Sequence, residues 1–186
     1  MLLIAVVVLL YCSIVKGQTA FGLKGGLSIA NITHNTHKPR VTGHGGVFVH
    51  RTINKNWCVQ PELLYSGEGQ RYLWNDGEHV SALSYLQLPI MIQYYPVSQV
   101  YLEVGPQFGL LITAKDKIAD GGSHTDWKVN MATGEFAIAA GLGIKATDQV
   151  IVYGRYNFGL TDVTSLDQII HHSNVGQIGV AIRFHQ

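Results

Sequence analysis

The stretch Val100-Tyr101-Leu102-Glu103-Val104-Gly105-Pro106-Gln107-Phe108-Gly109-Leu110-Leu111-Ile112 decides how the chain is read. In an extended backbone Val100, Leu102, Val104, Pro106, Phe108, Leu110 and Ile112 share one face, while Tyr101, Glu103, Gly105, Gln107 and Gly109 share the other. A period of two marks a strand with unlike sides. Its length matters as much as its period, because a tilted strand needs about 9–11 residues to cross a bilayer.

The pattern recurs on both sides of this segment. Leu86, Leu88, Ile90, Ile92 and Tyr94 oppose Gln87, Pro89 and Gln93; Val150, Val152, Tyr156, Phe158 and Leu160 oppose Ile151, Tyr153, Arg155 and Asn157. Near the end, Ile178, Val180, Ile182 and Phe184 oppose Gln177, Gly179, Ala181 and Arg183. From residue 20 onward eight such runs follow one another, over 20–31, 41–52, 57–72, 81–96, 100–113, 131–145, 150–163 and 174–184. No helical period interrupts them.

The connections alternate. Ile53-Asn54-Lys55-Asn56, Val97-Ser98-Gln99 and Thr147-Asp148-Gln149 are tight, whereas 32–40, 73–80, 114–130 and 164–173 read as longer loops rich in His34, His37, Asp76, Gly77, Gly121, Gly122, His171 and His172. Short turns on one side and long loops on the other are the habit of outer-membrane barrels. The expectation is an all-β, eight-stranded antiparallel up-and-down transmembrane β-barrel over residues 18–186, with both termini on the periplasmic side.

Composition agrees. Charged residues make up 13% of the 186-residue chain, with 21 glycines and 13 basic against 12 acidic groups; soluble domains carry about 25% charged residues. The near-neutral balance leaves no electrostatic footprint for nucleic acid. Residues 1–17, MLLIAVVVLLYCSIVKG, form an apolar run closed by small residues, with Val15 and Gly17 at the −3 and −1 positions of a cut before Gln18. This is the pattern of a signal peptide and is short for a membrane helix. No Lys or Arg precedes the run, so either Met1 is not the true start or the signal is atypical. Tyr11 is too bulky to precede a lipidated Cys12. After cleavage Cys58 alone remains, which excludes an intrachain disulfide and reads as a small semi-buried residue near a strand start.

Which face meets lipid follows from the polar one. It is glycine-rich and sparsely charged, carrying Lys24, Glu62, Glu103, Glu135, Lys145, Arg155 and Arg183 beside Gly105, Gly109, Ala137, Ala139, Gly141 and Gly143. Small residues suit the cramped interior of an eight-stranded barrel. Buried charge requires pairing. The polar face is therefore expected inside, with Glu62, Glu103 and Glu135 pairing Lys24, Lys145, Arg155 and Arg183, and with any unpaired member solvated at a rim. Aromatic girdles are expected from Phe21, Trp57, Tyr94, Tyr95, Tyr101 and Phe184 at the turn end and from Tyr65, Tyr72, Trp74 and Tyr85 at the other. Val180–Phe184 approximates the aromatic-ending last strand read by the barrel-insertion machinery, with His185 and Gln186 after it.

The ordered series FGLKGGLSIAN, PELLYSGEG, SYLQLPIMIQYYP and VGPQFGLLI resembles the PorT-like outer-membrane β-barrel proteins of Bacteroidetes over nearly the whole mature chain. That resemblance implies an outer-membrane barrel of eight strands and, through the founding member, an association with a secretion and gliding apparatus. It supplies no catalytic motif.

Other chemistries would each need a particular set of residues. Zinc needs three or four ligands on a defined frame, and His34, His37, His171 and His172 sit in loops without Cys or paired carboxylates. Asp167, His171, His172 and Ser173 are residue types of a hydrolase acting on lipid or peptide, but no G-x-S-x-G is present. A soluble lipocalin-like barrel is the structural rival, and it requires the apolar faces inside. The expectation is a non-enzymatic outer-membrane component without cofactor, metal or catalytic residues. Its surroundings would be outer-membrane lipid and the insertion machinery, with a protein partner at the external loops. The segment Ala114–Asn130, containing Trp127, is the longest of those loops.

Overall fold

Alternating faces become hydrogen-bonded strands in the computed structural model, which describes residues 18–32, 38–74, 77–118, 124–126, 134–161 and 173–184. The strands are β1 (Thr19–Ile32), β2 (Lys38–Thr52), β3 (Trp57–Trp74), β4 (Gly77–Val97), β5 (Val100–Ile118), β6 (His124–Asp126), β7 (Gly134–Lys145), β8 (Val150–Gly159) and β9 (Ser173–Phe184). Each long strand pairs antiparallel with the next, and β9 returns to β1 in a ladder from Phe21↔Phe184 to Ile32↔Ser173. The three residues of β6 only append to Lys115–Lys117 of β5, so the closed barrel consists of the other eight strands. Closure removes the unpaired edge that an open sheet would present.

The tight connections are held by their own side chains. Asn54 Oδ1 accepts from the amides of Asn56 and Trp57, both at 3.0 Å. Thr147 Oγ1 accepts from Gln149 N at 3.2 Å and Val150 N at 2.9 Å. Short polar side chains that mimic a backbone turn explain why these residues stop a strand.

Two of the long connections differ from expectation. The sequence predicts a loop over 73–80, yet β3 runs to Trp74 and β4 starts at Gly77, with Trp74↔Gly77 paired. Asp76, expected in that loop, lies outside the described residues. Likewise β5 continues to Ile118 and β6 adds to it inside the segment read as the loop Ala114–Asn130. Residues 1–17, His34, His37, Asp167, His171, His172 and Trp127 lie outside the described residues.

The walls obey the period. Leu23, Leu27, Val47, Leu63, Leu102, Val104, Phe108, Leu110, Leu142, Ile178, Val180 and Ile182 point outward and are exposed, while Glu62, Gln87, Gln93, Glu103, Gln107, Arg155, Asn157 and Gln177 are buried within. A lipocalin-like barrel would have these faces exchanged. Of the aromatic residues expected at the turn-end girdle, Phe21, Trp57, Tyr94 and Phe184 do face out. Tyr95 and Tyr101 do not: they lie inside, in one buried cluster with Phe48, Cys58, Ile151, Tyr153 and Ala181. Tyr85, assigned to the opposite girdle, is also buried. Each of these tyrosines has inward parity, which overrides its position near a strand end.

Glycine makes room for these rings. A Cβ at Gly143 would overlap the ring of Tyr101, its direct cross-strand partner, and one at Gly22 would overlap the ring of Phe48. The β2–β3 register slips once, with β2 supplying one residue more than β3 between Pro39 and His44. Opposite this bulge Gly69 adopts φ 118°, and Arg40 Nη1 donates to the Glu68 carbonyl.

An outward apolar wall has a depth-dependent consequence. Val104→Arg is expected to destabilise the folded barrel by about 2–4 kcal/mol, and Val97→Arg, at the turn end, by about 0–1 kcal/mol. Equilibrium urea unfolding from lipid vesicles measures both.

The barrel interior as candidate functional site

Inward-facing Glu62, on β3, sits among residues from three other strands. Lys24 of β1 donates to both of its carboxylate oxygens at 3.1 Å. Arg155 of β8 donates from both terminal nitrogens to the same two oxygens at 2.8 Å, and from Nε to Glu103 Oε1 of β5 at 2.8 Å. One guanidinium thus bridges two carboxylates in the fork geometry that arginine alone offers. All four side chains are essentially inaccessible and their formal charges cancel.

Neutral groups complete the shell. Gln60 Nε2 donates to Glu62 Oε1 at 2.8 Å, and His50 Nδ1 donates to Gln60 Oε1 at 3.1 Å. On the other flank Gln93 Nε2 donates to Glu103 Oε2 at 3.1 Å, and the Tyr95 hydroxyl donates to Gln93 Oε1 at 3.1 Å. The result is one continuous chain of hydrogen bonds across the lumen, from His50 to Tyr95. Lys24 Nζ also lies 4.0 Å from the Tyr153 ring centroid. Tyr153 shares a hydrogen bond with His44 Nε2, and His44 Nδ1 shares another with Ser28 Oγ at 2.9 Å.

Of the seven charged residues expected in one network, Lys24, Glu62, Glu103 and Arg155 come together. Lys145 and Arg183 lie at the turn-end rim instead. Lys145 Nζ stands 4.6 Å from the Tyr95 ring centroid, and Arg183 Nη2 donates to the Tyr95 hydroxyl at 3.5 Å. Glu135, the second residue of β7, is buried toward the loop end and joins no ion pair among the described residues. The reason is axial: Glu135 and the two rim cations stand near opposite ends of β7 and β9, farther apart than side chains reach.

Sequence reading missed Glu68, His44 and His50, all buried inside. Parity could have found them. Glu62, Leu64, Ser66 and Glu68 share one face of β3, as do His44, Phe48 and His50 of β2. Gly43 and Gly45 at outward positions of β2 erase the apolar contrast that makes a period visible.

A closed antiparallel barrel with an apolar exterior and an ion-paired lumen defines the class of outer-membrane barrel proteins. The chain belongs to the outer membrane protein beta-barrel domain family, whose model matches residues 16–165. It is an outer-membrane β-barrel protein. No curated protein sequence matches it. Among solved structures, it is similar to Ail, the attachment invasion locus protein of Yersinia pestis, at 12% identity and TM-score 0.55 over 90% of this chain and 99% of that one. Neisserial surface protein A matches at 15% identity and TM-score 0.56, over 89% and 97%. OprG of Pseudomonas aeruginosa matches at 12% and 0.51, over 91% and 98%. At these identities the likeness is one of fold.

Removing the bridge tests the lumen. Arg155→Ala leaves two buried carboxylates without their shared cation and is expected to cost about 3–5 kcal/mol. Arg155→Lys restores the charge without the fork and should fall between that variant and wild type. Urea unfolding in vesicles, with heat-modifiable gel migration to count folded barrel, gives both values.

Proposed function

We propose that the protein is a non-enzymatic anchor of the outer membrane, with both termini in the periplasm and its long connections outside as a contact surface. Residues 1–17 act as the export signal and are removed. The observation that supports this reading is the Lys24–Glu62–Arg155–Glu103 cluster, which spans the lumen between β1, β3, β5 and β8 with every charge paired and buried. With transport through the lumen blocked, what remains to meet other molecules is the set of connections at the loop end. Loops on a rigid scaffold commonly carry such contacts. The sequence series that resembles PorT-like proteins supports a place in that branch and a partner belonging to a secretion apparatus. Ail, similar in fold only, has been crystallised with the heparin analogue sucrose octasulfate, an example of a barrel of this size that takes a ligand.

Two measurements test the proposal. In planar bilayers the purified protein is expected to show no more than trace conductance; steady ohmic channels would refute a closed lumen. In a Cys58→Ala background, an impermeant maleimide applied to intact cells should label Thr36→Cys and Gly121→Cys but not Lys55→Cys or Asp148→Cys. Labelling of the second pair alone would invert the proposed orientation.

A further inference from the structure

The β2–β3 wall is interrupted between Pro39 and His44, where Arg40 to Gly43 stand opposite Gly67 to Gly69 without regular pairing. A cavity of about 420 Å³ lies at this break, with Arg40, Thr42, Gly43, Tyr65, Gly67 and Ser84 in its lining. It opens on the outer face of the barrel. Tyr65 is 53% exposed there, and its hydroxyl donates to Ser84 Oγ at 2.9 Å on the same face. Thr42 Oγ1 stands where a Cβ on Gly67 would be, so the glycine admits a further hydroxyl to the break.

The lining is chemically one-sided. Arg40 Nη1 donates to the Glu68 carbonyl, which seats the guanidinium at the break. Ser84 accepts from Tyr65 and keeps its own hydroxyl proton to give. No Asp or Glu lines the cavity among the described residues. Glu68 sends its carboxylate into the lumen instead, where it accepts from Gln87 Nε2 at 2.7 Å. A guanidinium beside hydroxyl donors, with no acid in the lining, is a set that suits phosphate oxygens.

Height and relief favour a phosphate carried by a lipid. Gly67 lies ten residues along β3 from Trp57, which is about 25 Å along the axis of a barrel with tilted strands. The outward apolar band of such a barrel is itself about 25 Å tall, so the cavity stands at its loop-side border, at the level of headgroups. From there toward the membrane centre, Gly43, Gly45 and Gly25 occupy neighbouring outward positions on β2 and β1. A Cβ on any of the three would meet only backbone within 4 Å. Bordered by the exposed side chains of Leu23, Leu27 and Tyr65, they leave an open trough in the apolar wall.

We propose that the break and the trough together bind one phosphate-bearing lipid, its phosphate on Arg40 and Ser84 and an acyl chain over Gly43, Gly45 and Gly25. The site lies on the outer wall, apart from both the ion-paired lumen and the loop contact surface.

Amide NMR of the folded full-length protein in detergent tests this with three probes: dihexanoylphosphatidic acid, dihexanoylglycerol and inorganic phosphate. Phosphatidic acid is expected to shift the Gly43, Gly67 and Ser84 signals saturably and to leave Ile138 and Tyr156, on the opposite wall, unmoved. Arg40→Gln and Ser84→Ala should each weaken its binding by about tenfold, the worth of one charge-assisted hydrogen bond. Gly45→Leu, which fills the trough, should weaken phosphatidic acid but not inorganic phosphate. Heat-modifiable migration establishes that each variant is folded. Absence of the shifts, or an affinity unchanged in both Arg40→Gln and Ser84→Ala, would overturn the proposal. Equal binding of inorganic phosphate would reduce the site to an anion pocket, and equal binding of dihexanoylglycerol would make it a tail groove; either result also contradicts a phospholipid site.

Discussion

A backbone amide in hydrocarbon has no water to bond, so a chain that crosses a bilayer as strands must pair each strand on both sides. The β1–β9 ladder satisfies that condition by joining the first strand to the last. Everything else in the molecule follows from the closed wall. Closure gives every strand one face toward lipid and one toward a lumen only as wide as eight strands allow. Leu, Val, Ile and Phe occupy the first face, and the second must be filled by groups that satisfy one another.

The lumen meets this demand in two ways along its axis. Toward the turn end, aromatic rings and an ion cluster pack it closed. Glycine at Gly22 and Gly143 lets the rings of Phe48 and Tyr101 lie flat against the opposite strand, and Arg155 neutralises two acids at once. The low dielectric that makes such charges costly when unpaired also makes their hydrogen bonds strong when geometry is complete. Toward the loop end, Ser66 Oγ, Gln87 Oε1 and Glu135 Oε2 are buried without a hydrogen-bond partner among the described residues.

Much of this architecture was legible in the sequence, and the exceptions share a cause. Strand β5 announces both its faces because its outward positions are apolar and its inward ones small or polar from Leu102 to Leu110. Strand β2 does not, since glycines at its outward positions hide the period, and His44 and His50 went unread. Tyr95 and Tyr101 were placed by their position near strand ends, although parity turns them inward. Gly77 reads as loop in the sequence because a glycine is a turn signal, yet it pairs with Trp74 as the first residue of β4. The members of the charge cluster could be listed from parity, but their partners could not. Pairing depends on height along the axis, which comes from register between strands distant in sequence, as with Glu62 and Arg155.

The relation of the two faces to lipid is the claim on which the rest stands. Methyl NMR of the barrel in nanodiscs, with a paramagnetic label on the lipid acyl chain, examines it residue by residue. The methyl signals of Leu102, Leu110, Ile178 and Ile182 should broaden, while those of Ala139, Ile151 and Ala181 stay sharp. Broadening of the second group with sparing of the first would contradict a barrel whose polar face is inside.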